Sequence, residues 1–179
     1  MKKIILFLGT LLFVVGCDNL MNTPTKKVEE FLNKYQTMSN EVMEQLNYTL
    51  DENYTLTETQ KEKYKNIMKK QYKDLIYTIK EETTDGDTSM VKVEIEVYDY
   101  KKALEKADDY LITNQDNFIN EEGSVNNEMF MDYKISEIEN QTERVKYTLE
   151  LTLTKQEDIW EMNEITEIDR QKIHGIYSY

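Results

Sequence analysis

Apolar side chains recur at helical spacing along residues 24–46, and the charged side chains of this stretch lie largely on the opposite side. This period predicts one long amphipathic helix, with Pro24 in a first turn that tolerates proline and Thr23 as the cap. The stripe is interpreted as core-facing, because a helix on a membrane surface would carry a basic polar face. Its members are Val28, Phe31, Leu32, Tyr35, Met38, Val42, Met43 and Leu46.

A second helix and a β-hairpin are predicted next. Thr57 and Gln60 have the spacing of a capping box, which marks the start of a helix. Apolar and polar residues then alternate along residues 75–80 and again along residues 91–98. Two such runs predict an antiparallel hairpin with one solvent-facing side. The sequence Asp85-Gly86-Asp87 supplies its turn, because Asp-Gly is a strong hairpin signal.

Two further helices are predicted before the next strand. Asp99 can cap the first of them, which carries Leu104 on its apolar side. Residues 114–125 are polar and without a period, which indicates an irregular segment. Asn126 or Asn127 then opens the second of these helices.

Residues 145–153 show the most regular alternation in the chain. The pattern predicts a half-buried strand in which Leu149 and Leu151 face the core. Thr148 and Glu150 face outward in this interpretation. Leu151→Ala is expected to destabilise the protein by about 2 to 5 kcal/mol if this face is in the core.

The chain closes with a turn at residues 155–158, a returning strand within residues 159–166 and a short helical or irregular tail at residues 167–179. The order is helix, helix, hairpin, helix, helix, hairpin, tail. It predicts a single α+β domain at residues 24–179, with an antiparallel sheet of about four strands packed on one face by amphipathic helices. The length is sufficient for one sizeable core and too short for two large lobes.

Several segments resemble the small lipoproteins of Gram-positive bacteria that carry a nuclear-transport-factor-two-like (cystatin-like) domain. They are residues 93–100, residues 145–149, Trp160 and residues 169–177. The resemblance implies a cone-like α+β domain. It implies no catalytic motif and no assigned activity.

The beginning of the chain has the layout of a bacterial export signal. Lys2 and Lys3 precede an apolar run that ends at Gly16 and Cys17. A membrane-spanning helix needs about 20 apolar residues, and this run is shorter. Residues 14–17, Val-Val-Gly-Cys, resemble the bacterial lipobox. This resemblance implies cleavage between Gly16 and Cys17, diacylglyceryl transfer to the cysteine thiol, and a protein anchored to the extracytoplasmic face of the cell membrane.

The predicted organisation is therefore a lipoprotein signal peptide at residues 1–16, a lipidated Cys17 with a tether at residues 17–23, and the domain. The alternatives are an ordinary secretory signal with a chance cysteine and an uncleaved anchor. Cys17 is the only cysteine of the chain. An exported protein with one thiol forms no internal disulfide, and acylation explains why the residue is there.

Charge narrows the range of partners. The chain has a net charge of −13, and loss of Lys2 and Lys3 with the signal would make the protein more acidic. Such a surface repels nucleic acid and anionic lipid headgroups. A charged partner would be cationic or a metal ion, although an acidic surface that only keeps an exported domain soluble is the simpler interpretation.

No catalytic, cofactor or metal-binding constellation is predicted. His174 is the only histidine, and it is interpreted as part of a tail that docks on the sheet, because no nucleophile motif or paired carboxylate is near it in sequence. Asp85-Gly86-Asp87 lacks the later glutamate of a calcium loop. The thirteen tyrosines are interpreted mainly as core residues whose hydroxyls reach the surface.

Three hypotheses about function follow. The first is a membrane-anchored binding or accessory module, with a pocket between helices and sheet or a patch that faces a protein. Its partners would be the membrane, through the lipid, and an unknown protein or small ligand. The second is a small-molecule enzyme that uses a buried Asp or Tyr in a cone-shaped pocket. The third is a structural lipoprotein of the cell surface.

Overall fold

The structure, a computed structural model, describes residues 22–178. This part of the chain contains six α-helices and four β-strands, and a short 3₁₀ turn, Gln115–Phe118, precedes the fifth helix. The elements in chain order are α1 (Pro24–Gln36), α2 (Asn40–Asp51), α3 (Glu58–Lys73), β1 (Ile76–Asp85), β2 (Thr88–Tyr98), α4 (Tyr100–Thr113), α5 (Asn127–Glu139), β3 (Arg144–Gln156), β4 (Ile159–Met162) and α6 (Glu167–His174).

The four strands form one antiparallel sheet in the order β1-β2-β3-β4. The predicted α+β class with a four-stranded antiparallel sheet is therefore confirmed. The predicted hairpin is β1 with β2, where Asp85 pairs with Thr88 across a two-residue turn. Gly86 has a φ of 56° in that turn, which glycine adopts at little cost.

One face of the sheet is the core face. The side chains of Val93 and Ile95 in β2 and of Leu149 in β3 are fully buried, and α1 and α6 pack on this side. Leu151 is also buried, whereas Thr148 and Glu150 are exposed, as predicted. Burial of successive apolar side chains stabilises the sheet by about 25 cal/mol per Å² of apolar surface.

The other face of the sheet carries charged side chains. Lys92 lies 3.4 Å from Glu81 and 3.8 Å from Glu150, and Lys146 lies 3.2 Å from Glu94. Ion pairs in such exposed positions contribute about 0 to 1 kcal/mol each. Helices α1 and α6 therefore cover a single face of the sheet, and the polar face remains in contact with solvent.

The prediction of one long helix at residues 24–46 is wrong. Helix α1 ends at Gln36, and Met38 takes a left-handed φ of 53°. The amides of Met38 and Ser39 donate to the carbonyls of Tyr35 and Lys34, which is a Schellman ending. The side chain of Ser39 then caps α2. Residues 35 and 42 are two helical turns apart, so the apolar period continues across the break and hides it.

The predicted caps of three other helices are confirmed. Thr57 and Gln60 form both bonds of the capping box at α3. Asp99 accepts a hydrogen bond from the amide of Lys102 at the start of α4, and Asn126 caps α5.

The tail docks on the domain through Gln71 and Gly175. The buried amide of Gln71 donates to the carbonyls of Tyr98 and His174, each at 3.0 Å, and accepts from the Tyr98 amide at 2.8 Å. Gly175 ends α6 with a φ of 72°. A Cβ at this position would overlap the Tyr98 carbonyl oxygen and the Gln71 side-chain nitrogen. These contacts hold α6, and with it His174, against α3 and β2.

Asn22, the first described residue, forms hydrogen bonds to β4 and to the turn that precedes it. The side-chain amide of Asn22 donates to the carbonyl of Asp158 at 2.7 Å, and its oxygen accepts from the Trp160 amide at 3.0 Å. Among residues 22–178, no helix has the length and apolar character needed to cross a bilayer.

Candidate functional site

A pocket of about 380 Å³ lies among α1, α2, α3 and α6. Its volume falls in the range of small-molecule sites, about 300 to 1,000 Å³. No strand contributes to its wall, which differs from the expected pocket between helices and sheet. The sheet's inward face is filled by the core instead. The lining residues are Tyr35, Val42, Gln45, Leu46, Thr49, Leu50, Tyr64, Met68, Tyr72, Glu167, Arg170, His174 and Ile176.

Helix α2 forms the largest share of the wall. Val42, Leu46 and Leu50 are spaced by four residues, so they share one face of the helix. Gln45 and Thr49 lie beside them and are exposed, which places them at the mouth of the pocket. The turn at Met38 gives α2 an axis of its own, and α1 contributes only Tyr35 to the lining.

Three aromatic rings from separate helices meet in the pocket. The Tyr72 hydroxyl lies 3.0 Å from His174 Nε2. The rings of Tyr35 and Tyr72 pack edge to face with centroids 5.1 Å apart, and those of Tyr72 and His174 are 5.8 Å apart. Edge-to-face pairs add about 0.5 to 1.5 kcal/mol beyond burial. This packing fixes the positions of the polar ring atoms.

These rings are uncharged at neutral pH, and burial moves their pKa values further from neutrality. Burial lowers the pKa of His174 to about 4, with a further contribution from the positive charge of Arg170. It also raises the pKa of Tyr35, Tyr64 and Tyr72 above the ordinary value. The tyrosine hydroxyls therefore act as hydrogen-bonding groups and not as anions.

Arg170 brings a positive charge into this group. Its Nε lies 3.3 Å from Glu167 Oε2, and the arginine side chain is 24% exposed against 71% for the glutamate. The guanidinium is close enough to Tyr35, Tyr72 and His174 to lower the pKa of each, against the effect of burial on the tyrosines. Positions 170 and 174 are four residues apart on α6, so both side chains face the same way.

Several donors of the pocket are not used within residues 22–178. Neither the Tyr35 nor the Tyr64 hydroxyl has a hydrogen-bond partner there, and the Nη groups of Arg170 make no hydrogen bond to that part of the chain. A pocket with a mainly apolar wall and a few convergent donors has the chemistry of a ligand site.

The residues singled out from the sequence have different outcomes. Gly16 and Cys17 lie outside the described residues. His174 does dock with the tail, and it also lines the pocket, which was not foreseen. No cluster of three or more possible metal ligands occurs in the described part of the chain.

Tyr35, Tyr72 and Arg170 were missed as site residues. Tyr35 was assigned to the apolar stripe of the first helix and Tyr72 belongs to the tyrosines interpreted mainly as core residues, and both are indeed buried. Their convergence depends on contacts between residues far apart, such as the pair 72 and 174, which are separated by 102 positions. The available signal was the spacing of four between Arg170 and His174 on a short helix.

Comparison with known proteins gives no relative. No family model matches the chain, and no curated protein and no solved structure is significantly similar to it.

Proposed function

We propose that this protein is a lipid-anchored binding module that works on the extracytoplasmic face of the cell membrane and holds a small ligand in the pocket among α1, α2, α3 and α6. The anchor rests on the export signal and on Cys17. The likeness to small lipoproteins of Gram-positive bacteria stays a prediction.

The observation that carries the binding proposal is the unused hydrogen-bonding capacity inside an apolar pocket. A donor that faces a pocket and has no protein partner is open to a ligand that displaces water there, and neither the Tyr35 nor the Tyr64 hydroxyl is sealed off from solvent in the described part of the chain. The Tyr35 and Tyr64 hydroxyls have no partner in the described part of the chain, although both rings are packed into the wall. A ligand with polar atoms at these positions would supply the missing partners.

An enzyme is the alternative that one contact supports, namely the hydrogen bond between Tyr72 and His174. A catalytic base works best when its pKa lies near the working pH. The pKa of His174, about 4, is far below neutrality, and the carboxylate among the lining residues, Glu167, is mostly exposed. We therefore favour binding. Turnover by the wild type that is lost in a folded His174→Ala variant would support the enzyme instead.

The binding proposal is tested by closing the mouth of the pocket. Thr49→Trp places a large ring at an exposed lining position, while Glu44→Trp adds the same ring at an exposed position of α2 outside the pocket. Both full-length variants and the wild type are purified from the native membrane, and bound small molecules are identified by mass spectrometry. We expect one compound to accompany the wild type and Glu44→Trp but not Thr49→Trp.

A compound retained equally by Thr49→Trp, or no compound on any of the three proteins, would contradict the proposal. The latter result would favour a structural role at the cell surface.

The anchor is tested separately with Cys17→Ser. This change removes the thiol that would be acylated, so we expect a secreted or unprocessed chain without lipid. The measurement is partition into detergent and the mass of the N-terminal peptide. A variant that is processed and partitions like the wild type would refute lipidation at Cys17.

A further inference from the structure

The geometry of the same pocket points to the class of its ligand, and this step rests on the proposed function. We infer that the pocket binds a small carboxylate with an apolar body, and that Arg170 is the residue that pairs with the carboxylate group.

Within residues 22–178, Arg170 forms only part of the hydrogen bonds that a guanidinium can form. A guanidinium carries five N–H donors in a planar fork that matches a carboxylate with two parallel hydrogen bonds. Arg170 uses Nε towards Glu167 at 3.3 Å, and that glutamate is 71% exposed. Ion pairs with such an exposed partner are weak, because water screens them. The Nη side of the fork makes no hydrogen bond within residues 22–178, so it remains available to a ligand.

Three tyrosines line the pocket together with Arg170. Tyr35 and Tyr64 each carry a neutral hydroxyl that can donate, since burial raises the pKa of both. Tyr72 is already engaged with His174. The Tyr35 hydroxyl lies close enough to the guanidinium for the charge to act on its pKa, and Tyr64 adds a second donor on the wall of the same pocket. Such donors favour oxygen acceptors with negative charge, because charge-assisted hydrogen bonds are the stronger ones.

A cation is disfavoured by the same arrangement. The three tyrosine rings alone would suit a quaternary ammonium group. The guanidinium lies close enough to Tyr35 and Tyr72 to act on the pKa of both, and it would repel a cation held between these rings. The net negative charge of the protein opposes an anion only at long range, where salt screens it beyond about 8 to 10 Å.

The apolar part of the wall sets the rest of the ligand. Val42, Leu46, Leu50 and Met68 line the side contributed by α2 and α3, and Ile176 closes the side after α6. These side chains offer contacts to hydrocarbon but no hydrogen bonds. A volume of about 380 Å³ limits the body to a short aliphatic chain or a single small ring system.

The experiment compares acids with their neutral amides. Hexanoate, octanoate, phenylacetate and cinnamate, each paired with its primary amide, are titrated into the full chain in detergent micelles. Binding is read from the NMR signals of the tyrosine rings, which report on the protein and not on partition into the micelle. We expect at least one acid to bind, with an affinity about tenfold or more above that of its amide, since the carboxylate brings a negative charge and two acceptor oxygens to the guanidinium, whereas the amide brings one neutral acceptor.

Three variants assign the preference. Arg170→Gln should lower acid affinity about tenfold and leave amide affinity nearly unchanged. Arg170→Lys should keep part of the preference, because it keeps the charge but loses the planar fork that pairs with both carboxylate oxygens. Glu167→Gln should strengthen acid binding, because it removes the competing carboxylate. Each variant is first checked for an unchanged circular dichroism spectrum. If Arg170→Gln does not fold, Arg170→Lys and Glu167→Gln still test the inference.

The outcomes separate the two proposals. Amides that bind as tightly as acids, or an acid preference that survives in Arg170→Gln, would overturn the carboxylate inference while leaving a binding pocket in place. Absence of any shift with all eight probes would overturn the inference. Thr49→Trp that still carries the native compound would overturn the proposed function itself.

Discussion

Replacing His174 by glutamine should make the protein less sensitive to mild acid. The ring has a pKa of about 4 in the folded protein against an ordinary value of 6.5. The unfolded chain therefore binds a proton in this interval that the folded chain does not. By linkage, stability rises with pH wherever the unfolded state binds more protons. The contribution of neutral His174 is thus complete above about pH 6.5 and is lost as the pH falls towards 4.

The size of the effect follows from the two pKa values. The full difference between 6.5 and about 4 corresponds to about 3 kcal/mol of unfolding free energy. At about pH 5 the unfolded imidazole is nearly all protonated while the half-buried ring of the folded protein is still mostly neutral, and the expected loss is about 2 kcal/mol. Domains of this kind are stable by about 5 to 15 kcal/mol in total, so a change of this size is measurable.

Equilibrium urea denaturation at about pH 7 and about pH 5 is a suitable assay, because the midpoint and slope give the unfolding free energy at each pH. The wild type should lose about 2 kcal/mol more than His174→Gln between the two conditions, since other titrating groups are common to both proteins. Tyr72→Phe is the control. It removes the hydrogen bond at 3.0 Å but leaves the surroundings of the half-buried imidazole otherwise unchanged, so it should keep the pH dependence of the wild type.

Equal losses for the wild type and His174→Gln would refute the reasoning. They would mean that water or a nearby charge keeps the imidazole as basic in the folded protein as in the unfolded chain.

Two further predictions concern stability. Gly175→Ala should cost clearly more than the about 1 to 2 kcal/mol of a left-handed alanine, because its Cβ would overlap the Tyr98 carbonyl, whereas Gly86→Ala has a similar φ and open space around it. Thermal denaturation of both variants measures the difference, and equal costs would show that the tail does not dock as described. Leu151→Ala should lower the unfolding free energy by about 2 to 5 kcal/mol, against under about 1 kcal/mol for the outward Thr148→Ala. Similar values in urea denaturation would show that the strand face is assigned wrongly.

The fold was readable wherever the local pattern and the tertiary structure agree. Alternation along β2 and β3 marked the buried face correctly, because each strand has one core-facing and one solvent-facing side. The caps at Thr57, Asp99 and Asn126 were readable because a cap involves only residues within one turn.

The break at Met38 was not readable for a physical reason. A helix period reports which residues share a face, and Tyr35 and Val42 share a face on either side of the turn. The turn itself contains no glycine or proline, the usual signs of a helix end. Met38 adopts a left-handed conformation that this residue type rarely takes.

The pocket was not readable because it belongs to no single segment. Its rings and its guanidinium come from α1, α3 and α6, and they converge only once the tail has docked through Gln71 and Gly175. In the sequence, the tyrosines look like ordinary inward residues of amphipathic helices. Hydroxyl groups without partners become visible only when all neighbours are in place.

The hydrogen bonds that join Asn22 to Asp158 and Trp160 also limit the length of any tether between the domain and Cys17. If Cys17 carries the proposed lipid, five residue steps separate the membrane surface from the β4 edge. Five steps reach at most about 18 Å even when fully extended. A domain of this size has a radius of gyration of about 15 Å. The β1 edge is only three strand spacings, about 14 Å, further along the sheet. A protein anchored in this way would stay within a few nanometres of the bilayer. Its pocket would meet compounds that diffuse close to the membrane and not those at distant surfaces.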